Sequence, residues 1–205
     1  MGVIAGIDEV GRGALFGPVV AAAVVLSAAA QEQLRGLGVA DSKTLSPRHR
    51  ENLVIPIHQL ATGCALGLAS VQEIQRLNIL QATLLAMKRA VDRLAVRPAL
   101  CLVDGNQAIP HLDIPQKLVI QGDRQHIEIA AASILAKVWR DRLMVRLDRR
   151  YPGYGLAQNK GYGSHYHRQA LKTLGPCRQH RRSFKGCQPI DHLVNCPPLE
   201  DRFLC

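Results

Sequence analysis

The sequence predicts an α/β fold, and three observations predict it: short β-branched apolar runs recur along the chain, helical periodicities fall between them, and 205 residues suffice for one domain, or one with a small appendage, around a continuous core. Residues 3–7 and 18–26 read as two strands on either side of the connection Gly11-Arg12-Gly13-Ala14-Leu15-Phe16-Gly17. Ser46 as N-cap and Pro47 at the first helical position open a helix over 48–59. Residues 64–69 form a third strand. The stretch 71–94 repeats Ile74, Leu77, Leu80, Leu84, Met87, Val91 and Leu94 at three- and four-residue spacing, which predicts a helix. Residues 99–103 and 117–120 complete five strands, enough for one sheet, and 127–147 repeats the helical spacing with small alanines. After Tyr151-Pro152-Gly153-Tyr154-Gly155 a polar loop runs to Ser164, followed by a short basic helix over 165–174 that Gly175-Pro176 stops. The last twenty residues are rich in Pro and Cys, show weak periodicity and read as an irregular tail.

No run reaches the roughly 18 consecutive apolar residues that a bilayer span needs. The N-terminus lacks the basic region of a signal peptide, and Gly2 is not followed by Ser or Thr at position 6 as myristoylation requires, so the expectation is a cytoplasmic protein with no membrane contact. Six cysteines form no C-x-x-C pair and read as reduced thiols; Cys187, His192 and Cys196 fit no common zinc spacing. The net charge of +10 is concentrated: residues 124–185 hold 14 Lys and Arg against 3 acids, and the remainder holds 12 against 13. Such a stretch, interleaved with Tyr151, Tyr154, Tyr162 and Tyr166, is the footprint of a phosphate-backbone binder, with a merely solvated basic face as the alternative.

Asp8 and Glu9 are adjacent acids at the end of an apolar strand, a costly place for two like charges unless a cation compensates them. Asp104 ends a second strand and Asp123 follows a third. One strand-end Asp is ordinarily a turn residue. Three such places in one sheet, however, converge where α/β sheets bind ligands, at the carboxyl ends of their strands. All-oxygen acidic ligation suits Mg²⁺ or Mn²⁺. The Gly11-x-Gly13 pair is not a dinucleotide fingerprint, because Pro18-Val19-Val20 leads into a strand where that fingerprint must open a helix. The glycines instead allow backbone to approach a ligand closely, with Arg12 available for a phosphate.

The segments Gly6-Ile7-Asp8-Glu9-Val10-Gly11-Arg12-Gly13, Asp41-Ser42-Lys43, Val103-Asp104-Gly105, Gly122-Asp123, 130–137 (AAASILAK), Arg140-Asp141 and Asn159-Lys160-Gly161-Tyr162-Gly163-Ser164 with His167, in this order, resemble bacterial ribonuclease HII from residue 3 to about residue 184. The resemblance implies an RNase H-like fold on a five-stranded mixed sheet flanked by helices. A catalytic domain would span 1–184, with a small helical substrate-binding part at about 151–184, and the tail would be 185–205. It implies an endonuclease that hydrolyses the RNA strand of RNA–DNA hybrids and cuts 5′ to single ribonucleotides in duplex DNA, by two-metal-ion chemistry leaving 3′-hydroxyl and 5′-phosphate ends. Asp8, Glu9, Asp104 and Asp123 would be the catalytic, Mg²⁺- or Mn²⁺-binding carboxylates. Gly11, Arg12, Gly13 and Tyr162 would read the ribonucleotide, whose 2′-hydroxyl separates RNA from DNA, and its junction with DNA.

Lys43, Lys160, Arg181 and Arg182 are expected at phosphates, and Ser133, one helical turn before Lys137, in the substrate groove. His165 and His167 are expected at the surface or facing phosphates, not as bases. Asp141 is expected to be structural, paired with Arg142 or Lys137. A monomer with no obligate protein partner is expected. Ribonuclease HIII usually carries an extra N-terminal domain, for which the first motif at residue 6 leaves no room, and ribonuclease HI differs in motif order. A silent nucleic-acid-binding module would have lost a carboxylate, and none is lost. A small-molecule hydrolase would not need so extended a basic surface.

Overall fold

The computed structural model of the protein describes residues 2–39 and 44–187. Five strands, β1 (Ile4–Val10), β2 (Val19–Leu26), β3 (Ala61–Ala69), β4 (Leu100–Asp104) and β5 (Gln116–Val119), form one sheet in the order β3-β2-β1-β4-β5. β1, β2 and β3 pair antiparallel, whereas β4 runs parallel to β1 and β5 parallel to β4, so the sheet is mixed. The unbroken Val/Ala run of β2 is buried at all eight positions, as expected of a strand covered on both faces.

The helices are α1 (Ala28–Gly36), α2 (Pro47–Leu60), α3 (Val71–Leu77), α4 (Ile79–Asp92), α5 (Ile127–Arg150), α6 (Leu156–Asn159) and α7 (His165–Leu174). Period-two alternation divides the sheet between two cores. Ala5, Ile7, Val19 and Ala21 pack with α4 on one face, and Val20, Ala22 and Val24 pack with α5, α1 and α2 on the other. α5 lies so close to β1 that a Cβ at Gly6 would stand 2.3 Å from the Glu128 carbonyl carbon. This glycine therefore brings the helix under the strand that carries Asp8 and Glu9. The C-terminal end of α5, α6 and α7 enclose a third, smaller core of Phe16, Met144, Tyr151, Tyr154, Leu156 and Leu171.

All five predicted strands are present, with ends displaced by up to three residues. The predicted helix over 71–94 is two helices: Asn78 has φ +69° and its side chain accepts the Gln81 amide, so α3 stops and α4 is capped at one residue. α1 escaped the sequence reading because it continues an Ala-rich apolar run; Ser27, accepting from the Ala30 amide, marks its start. The predicted polar loop before Ser164 contains the single turn of α6. Among the described residues no helix is long and apolar enough to cross a membrane.

Candidate active site

Asp8, near the end of β1, and Asp104, the last residue of β4, lie next to one another because these strands run parallel with Ile7 opposite Val103. Together with Glu9 each offers a carboxylate oxygen, and these oxygens lie within 4.8 Å of one another. Each acid is positioned by a short local bond. The Glu9 amide donates to Asp8 Oδ1 at 2.7 Å, the Gly122 amide donates to Asp104 Oδ1 at 2.7 Å, and Arg12 reaches Glu9 Oε1 at 3.3 Å. Asp8 is buried, and its carboxyl is pushed well above the ordinary range, first by desolvation, then by the Glu9 charge and by Asp104; the Ser133 hydroxyl, donating to it, opposes the shift. Glu9 is raised by burial and by Asp104, against the pull of Arg12. The chemistry of this donor set, hard oxygens that repel one another in a desolvated cleft, fits a divalent cation such as Mg²⁺ or Mn²⁺.

Asp123 is buried in a 3-10 turn, Gly122–Arg124, directly after the glycine that bonds Asp104, and it does not belong to the three-carboxylate cluster. Ser133, expected in the substrate groove, lies beside the carboxylates. It is buried on α5 and spends its hydroxyl on Asp8, so it positions a carboxylate.

The Gly11–Gly17 loop is held from beneath by two fully buried guanidinium groups. Arg140 of α5 donates to the carbonyls of Pro18 (3.1 Å), Phe16 (2.9 Å) and Lys160 (2.8 Å). Arg181 donates to those of Gly17 (2.9 Å) and Arg12 (2.8 Å). Burial lowers both side chains' pKa, that of Arg181 to about 9. Gly11, at φ +92°, has no room for a side chain, since a Cβ would stand 2.2 Å from Arg140 Nε, whereas one at Gly13 would meet nothing within 4 Å. The loop is thus rigid below and open above, with exposed Arg12 at its crest.

The expectation that Arg181 contacts phosphate is therefore corrected: the residue is 0% exposed, with its guanidinium turned onto the loop carbonyls of Gly17 and Arg12. Lys160, partly buried, turns its ammonium back onto the Ala157 carbonyl and does not project as a free phosphate contact. Arg182 is exposed, and Lys43 lies outside the described residues, as does Asp41. Tyr162 is half-buried, its ring 5.5 Å from Arg140 Cζ and 5.7 Å from Lys137 Nζ. Lys137 also pairs with Asp141 at 2.9 Å, which settles that acid's partner. His165 is exposed as expected. His167, expected at the surface, is 0% exposed and bonded to His180, because α7 turns this face onto the small core. Tyr151 and Tyr154 are core residues as well, so the aromatic interleaving that suggested a binding surface reduces to Tyr162 and exposed Tyr166.

Arg140 is the residue the sequence reading left without a role. Its signal was a charge on the otherwise apolar helical stripe of Ala136, Arg140 and Met144. Among the described residues the cysteines Cys64, Cys101 and Cys187 are free thiols.

Comparison with known proteins shows what the chain as a whole is similar to. The family model for ribonuclease HII matches residues 5–187. A ribonuclease HII of Acaryochloris marina is 67% identical over 185 residues, 90% of this chain and 93% of that relative. One of Trichodesmium erythraeum is 57% identical over 185 residues, 90% and 88% of the two chains. The crystal structure of ribonuclease H2 from Pyrococcus horikoshii superimposes with a TM-score of 0.76 at 27% identity, covering 90% of this chain and 95% of that one.

Proposed function

The chain belongs to the ribonuclease HII family, enzymes that cleave the RNA of RNA–DNA hybrids, and from that premise we propose that it also cuts duplex DNA 5′ to a single embedded ribonucleotide, leaving 3′-hydroxyl and 5′-phosphate ends. The observation that carries this reading is the placing of three mutually repelling carboxylates, Asp8, Glu9 and Asp104, beside an open glycine loop that two buried arginines hold from below.

Asp8, Glu9 and Asp104 would hold Mg²⁺ or Mn²⁺, with buried Asp123 completing the set from the turn beside Asp104. When bound, a pair of divalent ions supplies a nucleophilic water at neutral pH and charge stabilisation at the leaving 3′-oxygen. The protein's own groups do the rest. Ser133 keeps Asp8 aimed by donating to it, and the Gly122 amide does the same for Asp104. The backbone of Gly11, Arg12 and Gly13 approaches the ribose, where a hydrogen bond to the 2′-hydroxyl distinguishes RNA from DNA. Tyr162 stacks on the sugar across the junction. Arg12, exposed at the loop crest, and Arg182, exposed in the basic stretch, neutralise phosphates, and Lys43 is a candidate for the same task. The substrate is thus duplex nucleic acid, read by a monomer. Free thiols accord with a reducing cytoplasm.

The test is a labelled DNA duplex with one ribonucleotide, beside an all-DNA duplex, with Mg²⁺, Mn²⁺ or EDTA. A metal-dependent cut 5′ to the ribonucleotide and none in all-DNA is expected. Cleavage of long hybrids with no cut at the single ribonucleotide would confine the enzyme to hybrids.

A further inference from the structure

Two buried histidines lie outside the carboxylate site, and neither takes part in the chemistry described above. His167 of α7 and His180 of the C-terminal segment meet through their Nε2 atoms at 3.1 Å, both fully buried among Phe16 and Tyr154. Their outer nitrogens are also engaged. The Cys177 amide donates to His180 Nδ1 at 3.0 Å, and His167 Nδ1 lies 2.9 Å from the Tyr162 carbonyl oxygen.

These partners fix every proton. An amide can only donate, so His180 Nδ1 is bare and the neutral ring carries its proton on Nε2. A carbonyl can only accept, so His167 Nδ1 carries the proton and its Nε2 is bare. The Nε2–Nε2 contact then has one donor and one acceptor, and the chain runs in one direction from the Cys177 amide through both rings to the Tyr162 carbonyl. Such chains polarise one another and strengthen the last bond. A second proton on either ring would set two N–H groups face to face.

The last acceptor belongs to the residue assigned to the junction. The Tyr162 carbonyl also accepts from the Ser164 amide at 2.8 Å, and the Tyr162 amide donates to Asn159 at 2.9 Å. The same C-terminal segment meets the glycine loop: Phe16 bridges His180, the Gly17 amide donates to Gln179, and the Arg181 amide donates to Leu15.

We propose that the His167–His180 pair is a positioning device that sets the Tyr162 carbonyl, and with it the ring, against the Gly11–Gly17 loop, so that discrimination of a single ribonucleotide depends on two imidazoles that never touch substrate. This rests on Tyr162 reading the junction. The pair is neutral and locked in opposite tautomers, His167 with its proton on Nδ1 and His180 on Nε2.

Two measurements test it. Nitrogen-15 NMR of the imidazoles in the unmodified, full-length protein at pH 7.5 is expected to show these two tautomers; His167 protonated at Nε2 overturns the relay. His167→Leu removes the donor to Tyr162, whereas His167→Asn places an amide N–H where Nδ1 stood. In kcat/KM, cleavage at a single ribonucleotide relative to a long RNA–DNA hybrid is expected to fall about tenfold in His167→Leu and to recover in His167→Asn. Equal ratios in both variants overturn the positioning role. If His167→Leu does not fold, His180→Phe, which breaks the chain one ring earlier, replaces it with the same expectation. Tyr162→Ala in the same assay separates the two claims: an unchanged ratio there removes Tyr162 from junction recognition, while the tautomers still decide the relay.

Discussion

Replacing Arg140 with Met removes a guanidinium that no solvent reaches and leaves the carbonyls of Phe16, Pro18 and Lys160 without their donors. An unsatisfied buried acceptor costs about 1–3 kcal/mol, so three cost roughly 3–9. Against this stands the several kcal/mol of desolvation that the charge no longer bears. A net loss of about 3–5 kcal/mol follows, a large fraction of the roughly 5–15 kcal/mol that holds an ordinary domain. With a urea m-value of about 2.5 kcal/mol per molar, the unfolding midpoint of Arg140→Met is expected to drop by about 1.5 M. Arg140→Lys keeps the charge but not the planar fork that meets three carbonyls at once, so its midpoint is expected between the two. A midpoint within about 0.3 M of the parent for Arg140→Met would refute the reasoning, and so would a lysine variant equal to the parent.

Two further outcomes concern titration. Asp8 and Glu9 are raised in the folded state, so without metal the native protein binds more protons than the unfolded chain above the ordinary carboxylate range, and its stability falls as pH rises through that window. Asp8→Asn is therefore expected to raise the melting temperature in EDTA at pH 8 by a few degrees; a lower one would contradict the repulsion. The histidine pair has the opposite sign. Both are lowered from 6.5, His180 to about 3, so their stabilisation is fully present above 6.5 and is lost as pH falls toward 3, with a slope of at most about 2.7 kcal/mol per pH unit. The stability difference between the parent and His180→Asn should shrink over that window in urea titrations, and a constant difference would refute it.

How far the sequence disclosed this site depends on which contacts are local. Asp8, Glu9 and Asp104 were legible because strands 3–7 and 99–103 announce themselves by short apolar runs, and the acids sit at or just beyond their ends, where a parallel pair brings them together. His165–Leu174 was legible from Ser164 and Gly175. Arg181 was not, because its partners Arg12 and Gly17 lie more than 160 residues away, and a basic residue in a basic stretch carries no mark of burial. His167 failed for a related reason: the short helix is polar enough to read as surface, and only His180, thirteen residues on, makes its burial tolerable. Asn78 shows the limit of periodicity. Ile74, Leu77, Leu80 and Leu84 keep a helical spacing across it, yet one left-handed residue divides the helix.

The central claim is that the carboxylates of β1 and β4 hold the ion that cleaves. The most direct measurement follows one RNA–DNA hybrid under single turnover with Mg²⁺ or Mn²⁺, comparing the parent with Asp104→Asn, whose Oδ1 can still accept from Gly122 and so keeps the fold. Loss of cleavage by at least a thousandfold, with hybrid affinity retained within a few-fold, is the expected result. Turnover that survives the substitution, or that persists in EDTA, would contradict it.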